Sequence, residues 1–373
     1  MKKKILAAVI TLTLALTTLA GCGNSSAASE STSVSETVKE VTSEATGDSA
    51  TESGEEATGT ETKSVTVYAI NDPQMSAAHY VALDQGFYDE AGLEVKTEVV
   101  ASGPDLASFV ASGDDKIAMG TTYNLFSWLE NGVTMKAVAP LVNMGGTQCV
   151  VARPGLEITE ENVKDLEGAK IGMVSGAEVY LAINKMCEKY GLDKDSFQYI
   201  NLSTAEQVAA LSSGDIDMMA AWEPFVTNAC ADGGTLLFSG TKNFIADPEN
   251  GEDVNWCRLY NCLMASEDVI AEKSDELSRM MVALDKATEF INSNREDAIK
   301  ILAPIYEMDE DVLRSVMEKN VYTMDVDNDF VEATAVVSSF AVEQGTTTTE
   351  FTMEQYGDFG ILKETIPEKV TAE

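Results

Sequence analysis

Apolar and polar positions alternate with a period of two over Ser64–Ile70 (SVTVYAI), which predicts a strand. Asn71-Asp72-Pro73-Gln74 then turns the chain into a helix reaching about Gln85, Gly86-Phe87-Tyr88 closes it, and Leu93–Val100 predicts a second strand. The succession continues with a loop and cap at Ala101–Asp105, a helix over Leu106–Ala111, a strand at Ile117–Gly120, a helix over Thr121–Asn131 and a strand at Met135–Val142. Strand and helix in strict turn give a mostly parallel sheet with helices on both faces. Thr147–Ala152 predicts a strand leaving that sheet. The alternation then restarts, with strands at Lys170–Val174, Phe197–Asn201, Ile216–Ala220 and Thr235–Phe238. Helices fall between them at Ala177–Lys189, Thr204–Leu211 and from Trp222 onward. Asn255–Met264 predicts a second crossing strand. Helical spacing over Ser274–Ile291, Glu296–Leu302, Asp309–Lys319 and Thr352–Lys363 brings the chain back over the first half.

One phrase occurs twice. Phe109–Thr122 (FVASGDDKIAMGTT) and Val208–Pro224 (VAALSSGDIDMMAAWEP) both run from an apolar helix end through Ser-Gly-Asp into a buried strand and a new helix. The repeat predicts two similar α/β lobes joined by two crossing strands that act as a hinge. Residues 64–147 and 265–373 form the first lobe, and residues 148–264 the second.

The first sixty residues follow a different pattern. Met1-Lys2-Lys3-Lys4 followed by apolar Ile5–Ala20 reads as a secretory signal too short to span a membrane. Gly23–Lys63 is Ser/Thr/Glu-rich with no aromatic residue, the composition of a disordered acidic tether. A net charge of −37 argues against a nucleic-acid partner, which needs clustered Lys and Arg. Beyond Cys22 there are five cysteines, Cys149, Cys187, Cys230, Cys257 and Cys262. Their spacing fits no zinc site and leaves open buried thiols or a single disulfide.

In parallel sheets ligands sit beyond the carboxyl ends of the strands. That rule nominates Asn71, Asp72 and Gln74 after the first strand, Ser102 and Gly103 after the second, and Gly120, Thr121 and Thr122 after the third. In the second lobe it nominates Ser175, Gly176 and Ala177, then Trp222 and Glu223. Gln148 lies at the first crossing, and Asn255 and Trp256 lie before the second. Ser, Gly and Thr at helix starts offer N–H groups to an oxyanion, and the same residues serve equally as turns and caps. Trp222 suits stacking, and Glu223 suits accepting from an amine; a carboxylate in a helix's first turn is also favoured without any ligand. His79, the one histidine, reads as a packing residue. Met75, Met119, Met144, Met173, Met218 and Met219 fall near strand ends, as core or as adaptable lining.

Leu19-Ala20-Gly21-Cys22 resembles the bacterial lipoprotein cleavage box, which implies lipidation of Cys22 and attachment to the outer face of the cell membrane. Ala82–Val95 (ALDQGFYDEAGLEV), the Ser112-Gly113-Asp114 turn, Leu166–Gly172 (LEGAKIG) with Ser175-Gly176, and Ser213–Pro224 ending in Trp-Glu-Pro resemble a known family over about Ser64–Met264. It comprises the substrate-binding proteins of ABC transporters of the nitrate/sulfonate/taurine type, related to the binders of thiamine-pyrimidine precursors. The resemblance implies a two-lobed periplasmic-binding-protein type 2 fold. It also implies a monomer without a cofactor or catalysis, closing on one small molecule and delivering it to a permease and ATPase. Two ligand classes stay open. The helix starts favour a sulfonate-like anion, yet none of Arg153, Arg258, Arg279, Arg295 and Arg314 falls at a cleft loop, and Trp222-Glu223 favours an aromatic amine. A sensor presenting its ligand, or an enzyme on the same fold, are the other readings; the cysteine-rich metal run of the related fungal pyrimidine-forming enzyme is absent.

Overall fold

The structure, a computed structural model, describes residues 62–372 except 101–105, 107, 109, 111, 113 and 114. The signal segment, Cys22, the acidic tether to residue 61, Ser102 and Gly103 lie outside the described residues.

The chain opens with β1 (Lys63–Ile70), and Asp72 starts α1 (Pro73–Asp84). The Asp72 carboxylate accepts the Gln74 N–H at 2.7 Å, and Pro73 occupies the first turn, where a missing N–H costs nothing. A short turn of helix, α2 (Phe87–Glu90), precedes β2 (Leu93–Val100). Next come β3 (Ile117–Thr121), α3 (Thr122–Glu130) and β4 (Met135–Asn143). Thr121 and Asn124 cap α3 reciprocally.

A single tight turn, Gly145–Thr147, carries the chain into β5 (Cys149–Ala152). Both glycines are dictated by space. A Cβ on Gly145 would stand 2.0 Å from the Cys257 carbonyl oxygen, and one on Gly146 would stand 2.2 Å from that of Lys319. Two crossings of the chain thus press backbone on backbone at one place.

The second lobe holds β6 (Lys170–Met173), α4 (Val179–Tyr190), β7 (Gln198–Asn201), α5 (Thr204–Ser213) and β8 (Met218–Ala221). It ends with α6 (Phe225–Ala231), β9 (Thr235–Ser239) and the short strands β10 (Lys242–Asn243) and β11 (Glu252–Asp253). In the Ser-Gly-Asp turn before β8, Gly214 takes a left-handed φ of 79° that closes α5.

β12 (Tyr260–Ser266) returns to the first sheet. Behind it lie α7 (Glu267–Glu272), α8 (Ser274–Ser293), α9 (Arg295–Tyr306), α10 (Glu310–Glu318), β13 (Val321–Tyr322) and α11 (Asn328–Glu343). Two short helices, α12 (Met353–Tyr356) and α13 (Gly360–Thr365), follow.

The strand orders are β13-β4-β12-β3-β1-β2 and β11-β10-β9-β5-β8-β6-β7. β1 pairs in parallel with β2 and β3, and β6 with β7 and β8. β12 is antiparallel to both β3 and β4, and β5 is antiparallel to both β8 and β9. Each sheet therefore has four parallel strands into which a crossing strand is inserted against the grain, with short antiparallel strands added at one edge, β13 in the first sheet and β10 and β11 in the second. Most strands of each sheet run in one direction, as expected, and the crossing and edge strands make the sheets mixed; the α/β architecture of two similar lobes holds. β3, β5, β8 and β12, central in their sheets and covered on both faces, are buried throughout. The helix expected from Trp222 begins only at Phe225, α11 was not anticipated, and β12 places Tyr260–Ser266 with the first lobe.

Candidate functional site

The parallel strands of both sheets end on one cleft of about 480 Å³. Ile70, Asp72, Gln74 and Met75 reach it from the end of β1, and Thr121, Tyr123 and Asn124 from the end of β3. Met144 and Gln148 flank the hinge turn, with Leu259 from the second crossing. The opposite wall is Val174–Glu178 after β6 and Trp222 after β8. This is the position that parallel α/β topology reserves for ligands.

Of the residues nominated from sequence, Asp72, Gln74, Thr121, Gln148, Ser175, Gly176, Ala177 and Trp222 are brought together here. Others are not. The Asn71 amide turns outward and donates to the Ile305 carbonyl at 3.2 Å. Gly120 and Thr122 are buried but do not line the cleft. Asn255 is exposed, while Trp256 sets its ring edge-on to Phe238 at 5.4 Å and its backbone N–H on the Gly240 carbonyl. Glu223 is fully buried, and both its oxygens are engaged: one forms an ion pair with Lys319, the other accepts the Thr227 N–H at 3.0 Å. It does not line the cleft, and its carboxylate is turned to these contacts rather than to a ligand site.

Several helix-start N–H groups are also occupied. Gln74 N–H is taken by Asp72, Asn124 N–H by the Thr121 hydroxyl, Ser175 N–H by the Asn201 side chain at 3.0 Å and Ala177 N–H by the Val174 carbonyl at 3.1 Å. The Tyr123 hydroxyl bonds to Thr346.

Sequence reasoning missed Glu178, Ile70, Tyr123, Asn124, Val174 and Leu259. Glu178 stands just before α4, one residue past the nominated Ser-Gly-Ala. It keeps part of its surface in the cleft, yet burial of the carboxyl raises it to about 7, partly offset by its own backbone N–H. Asp72 faces the same cost: burial raises it to about 6 against the pull of the Gln74 hydrogen bonds. Neither carboxylate has an ion-pair partner among the described residues. Two amide oxygens, Gln74 Oε1 and Gln148 Oε1, are buried and accept no hydrogen bond.

His79 packs as expected, its two ring nitrogens meeting Tyr88 Oη at 2.9 Å and Thr97 Oγ1 at 2.8 Å. The five cysteines are all free. Met75 and Met144 line the cleft, whereas Met119, Met173, Met218 and Met219 are core. Among the described residues no cluster of His, Cys, Asp and Glu could hold a metal ion.

Two lobes on mixed sheets, crossed twice and open between their strand ends, define a periplasmic-binding-protein type 2 fold. A family model described as NMT1/THI5 like matches residues 74–298, and the chain belongs to that family. A protein of Brucella abortus described as a binding protein is 23% identical over 231 residues, covering 62% of this chain and 67% of that protein. Among solved structures, the periplasmic sulfonate-binding protein SsuA of Methylobacillus flagellatus superposes with a TM-score of 0.67 at 19% identity, over 83% of this chain and 96% of that one. The periplasmic nitrate-binding protein NrtA of Synechocystis superposes with a TM-score of 0.61 at 14% identity, over 82% of this chain and 89% of that one. The desulfurization enzyme DSZB shares the fold too, with a TM-score of 0.62 at 14% identity over 82% of this chain and 99% of that one.

Proposed function

We propose that this protein is an extracytoplasmic solute-binding protein. It captures one small molecule between its lobes and delivers it to an ABC importer, held at the membrane by a lipid on Cys22 and acting as a monomer without catalysis. The observation that carries this reading is the single cleft on which the carboxyl ends of strands from both sheets converge, crossed by two connections at a glycine-rich turn. That arrangement lets two walls close on a ligand by bending at the crossings. The binding proteins among the chain's relatives support it, as does a lining of side chains that offer hydrogen bonds and apolar contact. No helix among the described residues is long and apolar enough to cross a membrane.

A thermal-shift screen of small metabolites tests the reading. A true ligand at about 100 times its dissociation constant adds about 2.7 kcal/mol of stability. A compound that raises the melting temperature and titrates with one site per chain supports the reading. Failure of every compound class to do so counts against it.

A further inference from the structure

The lining of the cleft is acidic where an anion-binding site would be basic. No Lys, Arg or His lines it, and residues 101–105, 107, 109, 111, 113 and 114, outside the description, contain none in sequence. Asp72 from one lobe and Glu178 from the other sit at the starts of α1 and α4, where the helix dipole would otherwise receive an oxyanion. The protein's own carboxylates already occupy those positions.

A second observation is independent of these acids. Gln74 is 1% exposed, and its Nε2 donates to the Glu223 backbone carbonyl at 3.2 Å, which fixes the amide so that Oε1 is an acceptor with no donor. Gln148, 2% exposed, leaves its Oε1 in the same state. Buried acceptors without donors are costly, and two of them on one cleft point to a ligand that brings N–H groups. Trp222 and Met75 supply a flat, polarisable apolar surface beside them.

Resting on the solute-binding reading, we propose that the cleft takes a small organic cation, a protonated amine or amidine on a flat apolar body. Its N–H groups bridge Asp72 and Glu178 across the lobes and satisfy the glutamine carbonyls, while its body lies against Trp222. Burial raises both carboxylates by stripping them of water, and a bound cation offsets that cost with a countercharge. The net charge of −37 adds a field that draws cations and repels sulfonate and nitrate.

The test is a melting-temperature screen of a matched set, followed by calorimetric titration of the hits. Its cations are benzylamine, benzamidine, tryptamine and agmatine, its neutral isosteres benzyl alcohol and indole-3-ethanol, and its anions benzenesulfonate, propanesulfonate and nitrate. The expected hits are cations. Asp72→Asn and Glu178→Gln should each weaken a cationic hit by about tenfold or more while leaving a neutral isostere within about twofold, the scale of a charged hydrogen bond. Asn is as good a helix cap as Asp, so Asp72→Asn keeps the fold, and the ligand-free melting temperature of each variant checks this. Binding of an anion or a neutral compound in preference to its cationic counterpart, or cation affinity unchanged in both variants, overturns the charge assignment and leaves the solute-binding reading standing. No hit in any class overturns both.

Discussion

Lys319, at the end of α10 in the first lobe, places its Nζ on Oε1 of Glu223, which follows β8 in the second lobe and has no exposed surface. The same Glu223 also receives Gln74 on its backbone carbonyl. A buried carboxylate whose only counterion comes from the other lobe is a strut near the crossings. Removing its partner leaves an uncompensated charge. Lys319→Met should cost about 3–5 kcal/mol of unfolding free energy, and Glu223→Gln with Lys319→Met clearly less. Urea denaturation of both variants checks this; equal losses would mean the pair is not coupled.

The hinge turn has no room for a side chain. Gly146→Ala puts a methyl against the Lys319 carbonyl and should lower stability by about 1–3 kcal/mol through overpacking. Gly132→Ala is the useful contrast. Gly132 has open space around it, but its φ is 80°, so the cost there comes from backbone conformation alone. Thermal melts in which Gly146→Ala matches wild type would refute the close approach.

The order of elements was largely legible in the sequence because each strand of the two lobes is a short apolar run bounded by turn residues. The direction of β5 and β12 was not, since nothing local in Cys149–Ala152 or Tyr260–Ser266 records which neighbours a strand will take. Helix α11 was hidden by its composition: Val331, Thr334, Val336 and Val337 with Ser338 and Ser339 weaken the helical signal, and tertiary packing against α3 overrides it. Strand-end topology found seven of the residues lining the cleft, and the first crossing gave Gln148. It missed Glu178 because an acid before a helix is so ordinary that only its burial sets it apart. It misjudged Glu223 because the counterion, Lys319, lies 96 positions away.

His79 gives stability its own pH dependence. Burial lowers its pKa from 6.5 to about 4, so the folded protein holds it neutral while the unfolded chain protonates. The contribution is present above pH 6.5 and lost as pH falls toward 4, on the order of 3 kcal/mol. Asp72 and Glu178, raised by burial, act in the opposite sense, gaining stability as pH falls through about 6 and 7. Comparing wild type with His79→Gln by denaturation between pH 7 and 4 isolates the histidine: the wild type should lose more. Parallel curves would contradict its neutral burial.

Cation affinity should itself depend on pH. A bound cation lowers the pKa of both carboxylates, so binding releases protons below about pH 7 and strengthens as pH rises, levelling off above it. The titratable groups facing them are Tyr306 and Tyr322 beside Asp72, and Tyr123 and Cys257 beside Glu178. All are raised by burial and keep their protons through this range. Benzamidine titrated in two buffers of different ionisation heat at pH 6 should show proton release, and affinity should rise by roughly fiftyfold or more from pH 5 to 8. A flat profile would mean that neither acid meets the cation.

The central claim is that one ligand is held by both walls at once. The most direct measurement is calorimetric titration of the best stabilising compound into wild type, Met75→Ala on one wall and Trp222→Ala on the other. One molecule per chain, with affinity reduced by each substitution, is the expected result. One molecule per chain bound equally well by wild type and both variants would place the site outside the cleft and contradict the account.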